Sequence, residues 1–187
     1  MNKTFFTFLL IGLFFTQCKK ETDSFLITNE RVGKLTKEAK MEQLDSIFAL
    51  DSIVKLNPIK NTIGTQGEVE IYDKNGNKLM LVSPQDEYSP KSKITNIQVF
   101  DKRFKTEKGL TPKSTFKDIK NNYEIETIET TINSVVVFLK NTDIFITIDK
   151  KQLPEDLQYK SDITVEASQI PDNATFKYFM IGWELEN

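Results

Sequence analysis

The chain has no histidine, one cysteine and seven glycines among 187 residues. Without histidine it lacks the commonest general base and the commonest nitrogen ligand for metals. A lone thiol, Cys18, can form no internal disulfide and supplies no pair of sulfur ligands. Together these gaps exclude Ser-His and Cys-His catalysis and the usual zinc sites. The glycines stand at 12, 33, 64, 67, 76, 109 and 182, too dispersed for a loop that cradles phosphate. Arginine is nearly absent as well, at positions 31 and 103 alone. With 25 Lys+Arg against 27 Asp+Glu, a net charge of −2, there is no basic footprint for nucleic acid. Beyond residue 18 no apolar run reaches the length of a membrane span. An enzyme built from this inventory would have to run on Asp, Glu, Lys or Tyr. The expectation is a non-enzyme with neither metal nor cofactor.

What is present begins at the N-terminus. Lys3 is the only charge before Cys18, and an unbroken, mostly apolar stretch runs from Phe5 to Phe15. A basic head followed by a short apolar core is the layout of a signal peptide. As a helix the core spans roughly 16 Å, about half of the ~30 Å of a bilayer's hydrocarbon. It stops at Thr16-Gln17-Cys18, and the polar run Lys19-Lys20-Glu21-Thr22-Asp23-Ser24 follows. This junction resembles a bacterial lipobox, with Phe15 and Gln17 where the usual box carries Leu and a small residue. The resemblance implies acylation of Cys18, cleavage just before it and delivery to the cell envelope, with the outer membrane as the expected address. An ordinary cleaved signal, or an uncleaved anchor, is the alternative. The expected organisation is a lipoprotein signal peptide over 1–17, a lipidated tether over 18–24 and a single domain over 25–187.

From Phe25 onward the patterns predict an α+β domain, rich in antiparallel strands, with two short helices on one face of the sheet. A strand is expected over 25–28. A helix follows Gly33, capped by Thr36, with Met41, Leu44 and Phe48 on one face. Short alternating runs flank Asp73-Lys74-Asn75-Gly76-Asn77, the strongest hairpin signal in the chain. A second helix follows Gly109, capped by Ser114 or Thr115, with Phe116, Ile119 and Tyr123 on its stripe. Strands are then expected over 123–132, 135–139 and 144–148, and a last one over 175–185. Val135 to Leu139 is apolar at every position, which predicts a central strand covered on both faces. Met41, Leu44, Phe48, Phe116, Ile119, Val135, Val137 and Ile146 should be core. Two halves, 25–100 and 101–187, share an order of strand, Arg, Gly, amphipathic helix and strands. They read either as a pattern-level repeat or as two unrelated helices over one sheet.

Several stretches carry a family resemblance. They are Asn75-Gly76-Asn77-Lys78-Leu79, the run from Ile94 to Arg103, the helix entry from Gly109 to Ile119, and Ile170-Pro171 through to Trp183. In their order they resemble the RpoE-regulated, YfeY-like lipoproteins, a bacterial family of unknown function. The resemblance implies a lipoprotein address and brings no catalytic residues. The helix-then-strands duplication is also similar to that of small lipoproteins and secreted inhibitors that bind other proteins.

Few residues suggest a site. Asp73, Asn75 and Asn77 alternate as in a calcium loop, but Gly76 falls fourth where an EF-hand needs its glycine sixth, so a hairpin turn is the better reading. Glu68 with Glu70, and Glu124 with Glu126, could pair as a glycosidase's acid and base, but the charged outward faces of half-buried strands are the better reading. Trp183, the sole tryptophan, reads as core. Lys102, Arg103, Phe104, Lys105 and Lys108 form a basic patch that reads first as a solvated turn into the second helix and otherwise as the candidate partner-binding surface, with the loops over 83–93 and 150–167 as further candidates. The function expected is a lipid-anchored, non-catalytic binding or assembly module. Its partners would be the membrane, through the anchor, and an envelope protein or glycan. The alternative is a carrier of a small apolar or glycan ligand.

Overall fold

The computed structural model describes residues 23–56, 67–159 and 163–183. Cys18 and the apolar stretch before it lie outside them. Among the described residues twelve strands form two sheets. The larger holds β4 (Ser52–Lys55), β5 (Val69–Tyr72), β6 (Lys78–Pro84), β7 (Ile94–Val99), β9 (Ile125–Thr130), β10 (Ser134–Leu139), β11 (Ile144–Asp149) and β12 (Tyr178–Gly182). Its order is β4-β5-β6-β7-β12-β11-β10-β9, antiparallel throughout. The smaller holds β1 (Leu26–Thr28), β2 (Arg31–Val32), β3 (Leu35–Thr36) and β8 (Lys105–Thr106), in the order β3-β2-β1-β8. Short helices α1 (Leu44–Ile47), α2 (Phe116–Asn122) and α3 (Glu155–Gln158) complete an α+β domain. None of the described helices is long and apolar enough to cross a membrane.

Strand alternation divides the large sheet into two unlike faces. On one, paired positions form an unbroken apolar row from edge to edge: Ile53, Ile71, Met80, Val99, Phe179, Ile146, Val137 and Ile128. Met41, Leu44 and Phe48 around α1, and Phe116 and Ile119 of α2, join the same core. The eight residues expected in the core are all at or below 2 % exposure. At roughly 1.5–3 kcal/mol for each fully buried side chain, this row and the helix stripes set the register of every strand.

The halves repeat down to single hydrogen bonds. Lys40 N–H bonds Gln43 Oε1 at 2.8 Å, and Thr115 N–H bonds Asp118 Oδ2 at 2.7 Å, each closing the first turn of its helix. Met41 and Phe116 N–H bond the carbonyls of Ser92 and Ala174, and Glu42 and Lys117 N–H bond those of Pro90 and Asp172. The isolated bridges Lys40–Lys93 and Thr115–Thr175 match likewise. Strands β4 to β7 and β9 to β12 are therefore two meanders. They meet at the β7–β12 seam, related by a local two-fold axis through the sheet.

Several elements differ from the sequence reading. Thr36 caps no helix. Gly33 (φ +60°) turns the chain back at once, pairing Arg31 with Thr36 and Val32 with Leu35 in a two-residue hairpin, and the helical turn waits until Met41. Strand β10 is not covered on both faces: it lies second from the edge, and Val136 and Phe138 are half-buried on the open side. The stretch 150–167 is not a free polar loop, because Leu153, Leu157 and Val165 pin it into the core. The strand expected over 175–185 is shorter, and Trp183 just after it is 3 % exposed.

Candidate functional site

One face of the large sheet is left open among the described residues. Its central row runs Val54, Glu70, Leu81, Gln98, Met180, Phe145, Phe138, Thr127. Between Leu81 and Phe138 the row is half-buried, and no described element covers it. The two meanders contribute differently. The first places Glu68, Glu70, Tyr72, Ser83, Asn96 and Gln98 on this face. The second places Val136, Phe138, Phe145, Met180 and Tyr178 there. Phe138 and Phe145 stack with centroids 5.5 Å apart. Gly182 makes room for this stack: a Cβ there would lie 3.0 Å from Phe145 Cε1. The face thus gathers its aromatic and most of its apolar side chains on one half and most of its polar ones on the other, with Val54 and Leu81 among the latter, a suitable centre and rim for a protein contact.

Two clefts occupy equivalent places in the two halves. The first, about 210 Å³, lies where the chain enters the domain and is lined by Ser24, Phe25, Phe48, Leu50, Leu79 and Arg103, among others. Phe25 meets the Phe104 ring edge-on at 5.1 Å, with the Arg103 guanidinium 4.5 Å from its centroid. Arg103 is held by Asp101 and Asp73, and the hydrogen bonds to these carboxylates, Asp101 first, raise its already high pKa further. Asp73 is the hub of the β5–β6 turn. Its Oδ1 accepts from Asn75 N–H at 2.9 Å and Asn77 N–H at 3.0 Å, and the Asn77 side chain donates to both oxygens. These bonds, led by the Asn77 side chain and joined by Arg103, hold its pKa far below the usual carboxylate range. The second cleft, about 480 Å³, is lined by Thr28, Glu30, Tyr123, Glu124, Lys140 and Asn141, among others. Tyr123 matches Phe48 of the first. Lys108 Nζ lies 4.7 Å from the Tyr123 centroid, as Lys34 Nζ lies 5.8 Å from that of Phe48. A third cleft, about 310 Å³, gathers Lys150, Lys151 and Lys177 with Asp149 and Tyr159.

The chemistry of these groups is that of fixed structure. Glu70 accepts from Lys78 and from Tyr72 Oη, and both bonds lower its pKa, Lys78 more. Tyr72 is raised by the same contact with Glu70, and Tyr123 is raised by its partial burial. Glu68 accepts from Ser83 Oγ at 2.7 Å, and Glu124 pairs with Lys140 at 2.6 Å. Glu70, Asp73, Asp101, Asp149 and Asp172 are all held below the usual carboxylate range by their hydrogen bonds and ion pairs. Among the described residues no three His, Cys, Asp or Glu side chains cluster as they would around a metal ion.

The structure disperses the patch Lys102, Arg103, Phe104, Lys105 and Lys108. Phe104 is 2 % exposed and serves as core behind Phe25. Arg103 is engaged by its two aspartates. Lys108 donates to the Asn122 carbonyl at 2.8 Å beside the second cleft. Lys102 and Lys105 remain exposed, near the first. Cys18 lies outside the described residues. Sequence reasoning missed the open-face residues Phe138, Phe145, Val136 and Met180. The signal was the doubly apolar run from Val135 to Leu139, which was assigned to burial on both sides.

No family model and no curated protein matches the sequence. Among solved structures the chain is similar to the crystal structure of the uncharacterized protein yfeY from Escherichia coli. The TM-score is 0.54 at 13% identity, over 83% of this chain and 98% of that one. At that identity the likeness speaks for the fold alone. The fold of this chain is YfeY-like.

Proposed function

We propose that this chain is a lipid-anchored lipoprotein of the bacterial envelope, tethered through Cys18 at the outer membrane. Its role is that of a non-catalytic module that receives a folded protein partner on its open sheet face. The observation that carries the reading is the uncovered stack of Phe138 on Phe145, with Val136, Met180 and Tyr178 around it. Eight strands at ~4.8 Å spacing and ~3.3 Å per residue give a face of roughly 700 Å². One side of a standard protein interface is about 800 Å². The groups that could do chemistry are committed to hydrogen bonds and ion pairs, which favours binding over turnover.

Site-specific photocrosslinking in intact envelopes tests this. A photoreactive phenylalanine at Phe138 or Phe145 should give one discrete protein adduct. The same group at Tyr88, exposed on the 85–93 loop, should not. Absence of any open-face adduct would remove the reading. Replacing Cys18 by Ser should stall the precursor or free the protein from membranes, and unchanged processing and membrane binding would sink the anchored address. A second reading, a carrier of a small apolar or glycan ligand, is favoured by the second cleft, whose 480 Å³ falls in the range of small-ligand sites. A lipid or glycan that co-purifies and is lost on Tyr123→Ala would support it.

A further inference from the structure

We infer that the end of the domain holding the first cleft rests on the headgroups of anionic phospholipids in the membrane that carries the anchor. The inference rests on the lipid-anchored reading above. Asp23 lies five residues after Cys18, so this end of the domain stands within about 18 Å of the lipidated residue at full extension. Asp23 is tied to the fold rather than trailing from it. Its Oδ1 accepts from Phe25 N–H at 2.9 Å, and its carbonyl accepts from Leu26 N–H at 3.3 Å and Arg31 Nη1 at 3.2 Å. Lys105 N–H then bonds the Phe25 carbonyl at 3.0 Å. A short tether leaving from a firmly seated Asp23 therefore restricts which side of the protein faces the bilayer.

That side has the composition of an interfacial surface. Leu50, on the turn between α1 and β4, is 86 % exposed and lines the same cleft as Ser24 and Phe25, with Ala49 exposed beside it. The acids here are paired locally: Asp51 with Lys34 at 2.9 Å, and Asp73 and Asp101 with the single Arg103. Asp23 lies 3.9 Å from Lys105. Lys74 and Lys102 are exposed and have no ion-pair partner among the described residues. Lys74 lines the cleft with Leu50, and Lys102 precedes Arg103 at its wall, so two unpaired cations flank an apolar tip. Lysine stems along apolar surface with ammonium groups at phosphate depth are the arrangement by which a protein lies on a charged bilayer.

The test uses the full lipidated chain, purified from membranes and reconstituted into vesicles. The vesicles are phosphatidylethanolamine with or without phosphatidylglycerol, and their acyl chains are brominated. Leu50→Trp and Ala49→Trp report on the tip. Tyr88→Trp reports on the far end of the β6–β7 hairpin, and the parent, whose buried Trp183 is the common background, sets the baseline. Quenching and a blue shift at positions 50 and 49, with none at 88, is the expected result. Adding Lys74→Glu and Lys102→Glu should diminish the quenching only where phosphatidylglycerol is present. Equal quenching at all three positions, or none at 49 and 50 while the chain floats with the vesicles, overturns the docking and leaves the anchor standing. A chain that fails to float and lacks acyl mass on Cys18 overturns the anchored reading, and the docking with it.

Discussion

Gly33 and Gly109 make a controlled pair in which the same substitution should have unequal effects. Both hold a left-handed conformation, φ +60° and +81°, and stand at corresponding points before the two helical segments. Alanine at either site meets the intrinsic penalty of that region, about 1–2 kcal/mol. At Gly109 nothing lies within 4 Å of the added Cβ, so the penalty ends there. At Gly33 the new Cβ would sit 2.3 Å from the Ser24 carbonyl oxygen and 2.9 Å from Phe104 Cε1. The oxygen is backbone and must retreat by about 1 Å to reach ordinary contact. The bonds around it, Phe25 N–H to Asp23, Leu26 N–H to Asp23 and Gly33 N–H to Leu26, cannot all survive that movement. Losing two at ~1 kcal/mol each brings Gly33→Ala to about 3–4 kcal/mol. For a chain of this size 1 kcal/mol moves Tm by about 2–4 °C. Thermal unfolding followed by circular dichroism should thus show a fall of about 2–8 °C for Gly109→Ala and about 6–16 °C for Gly33→Ala. Equal falls would show that the Ser24 segment is not seated against Gly33 as described. The fixed position of the tether exit would then be lost as a premise.

Neighbouring residues of β11 should separate the two faces of the sheet: Ile146→Ala, fully buried, should cost about 2–5 kcal/mol by urea titration, while half-buried Phe145→Ala should cost clearly less. The reverse order would mean that the open face is covered. Stability should fall in acid, because Asp73, Asp101, Asp149, Asp172 and Glu70 all have folded pKa values below their ordinary values of 3.8 and 4.5. Their contribution is complete above about pH 5 and drains away as pH drops through the lowered values. Urea midpoints from pH 7 to pH 2 should show this, less steeply for Asp73→Asn. Asp118→Ala and Gln43→Ala each remove one acceptor that closes a helix start, at about 1 kcal/mol apiece, and a difference of more than about 1 kcal/mol between them would break the equivalence of the halves. Gly182→Ala should displace the Phe145 ring and weaken the open-face crosslink with little loss of stability.

The fold was legible where local chemistry and tertiary packing agree. Asp73 to Asn77 turns because Asp73 can accept from Asn75 and Asn77, and the alternation on either side points the same faces inward. Phe116 and Ile119 lie one turn apart, so one stripe of α2 is buried. Legibility failed at Thr36, where a residue suited to capping sits in a strand because Gly33 closes a hairpin that needs only two residues. It failed again at the candidate site. The residues from Lys102 to Lys108 are a cluster only in sequence: a strand and two turns send Phe104 inward and Arg103 to its aspartates. The open-face patch is assembled from β10, β11 and β12, whose order is set by pairing across the sheet. A doubly apolar strand signals two apolar environments, and the sequence does not say whether the second is a neighbouring layer or a partner.

The place of β12 between β7 and β11 bears on how the chain becomes folded at all. Each meander can zip locally, hairpin by hairpin, but the seam that joins them needs residues 178–182 to reach strand β7, laid down some eighty residues earlier. Loop closure over that separation makes the seam a late and slow event. Until it forms, the row Met80, Val99, Phe179, Ile146 is split and two strand edges stand unpaired. The native sheet cannot close until β12 reaches β7, and before that the two meanders are separable runs of hairpins.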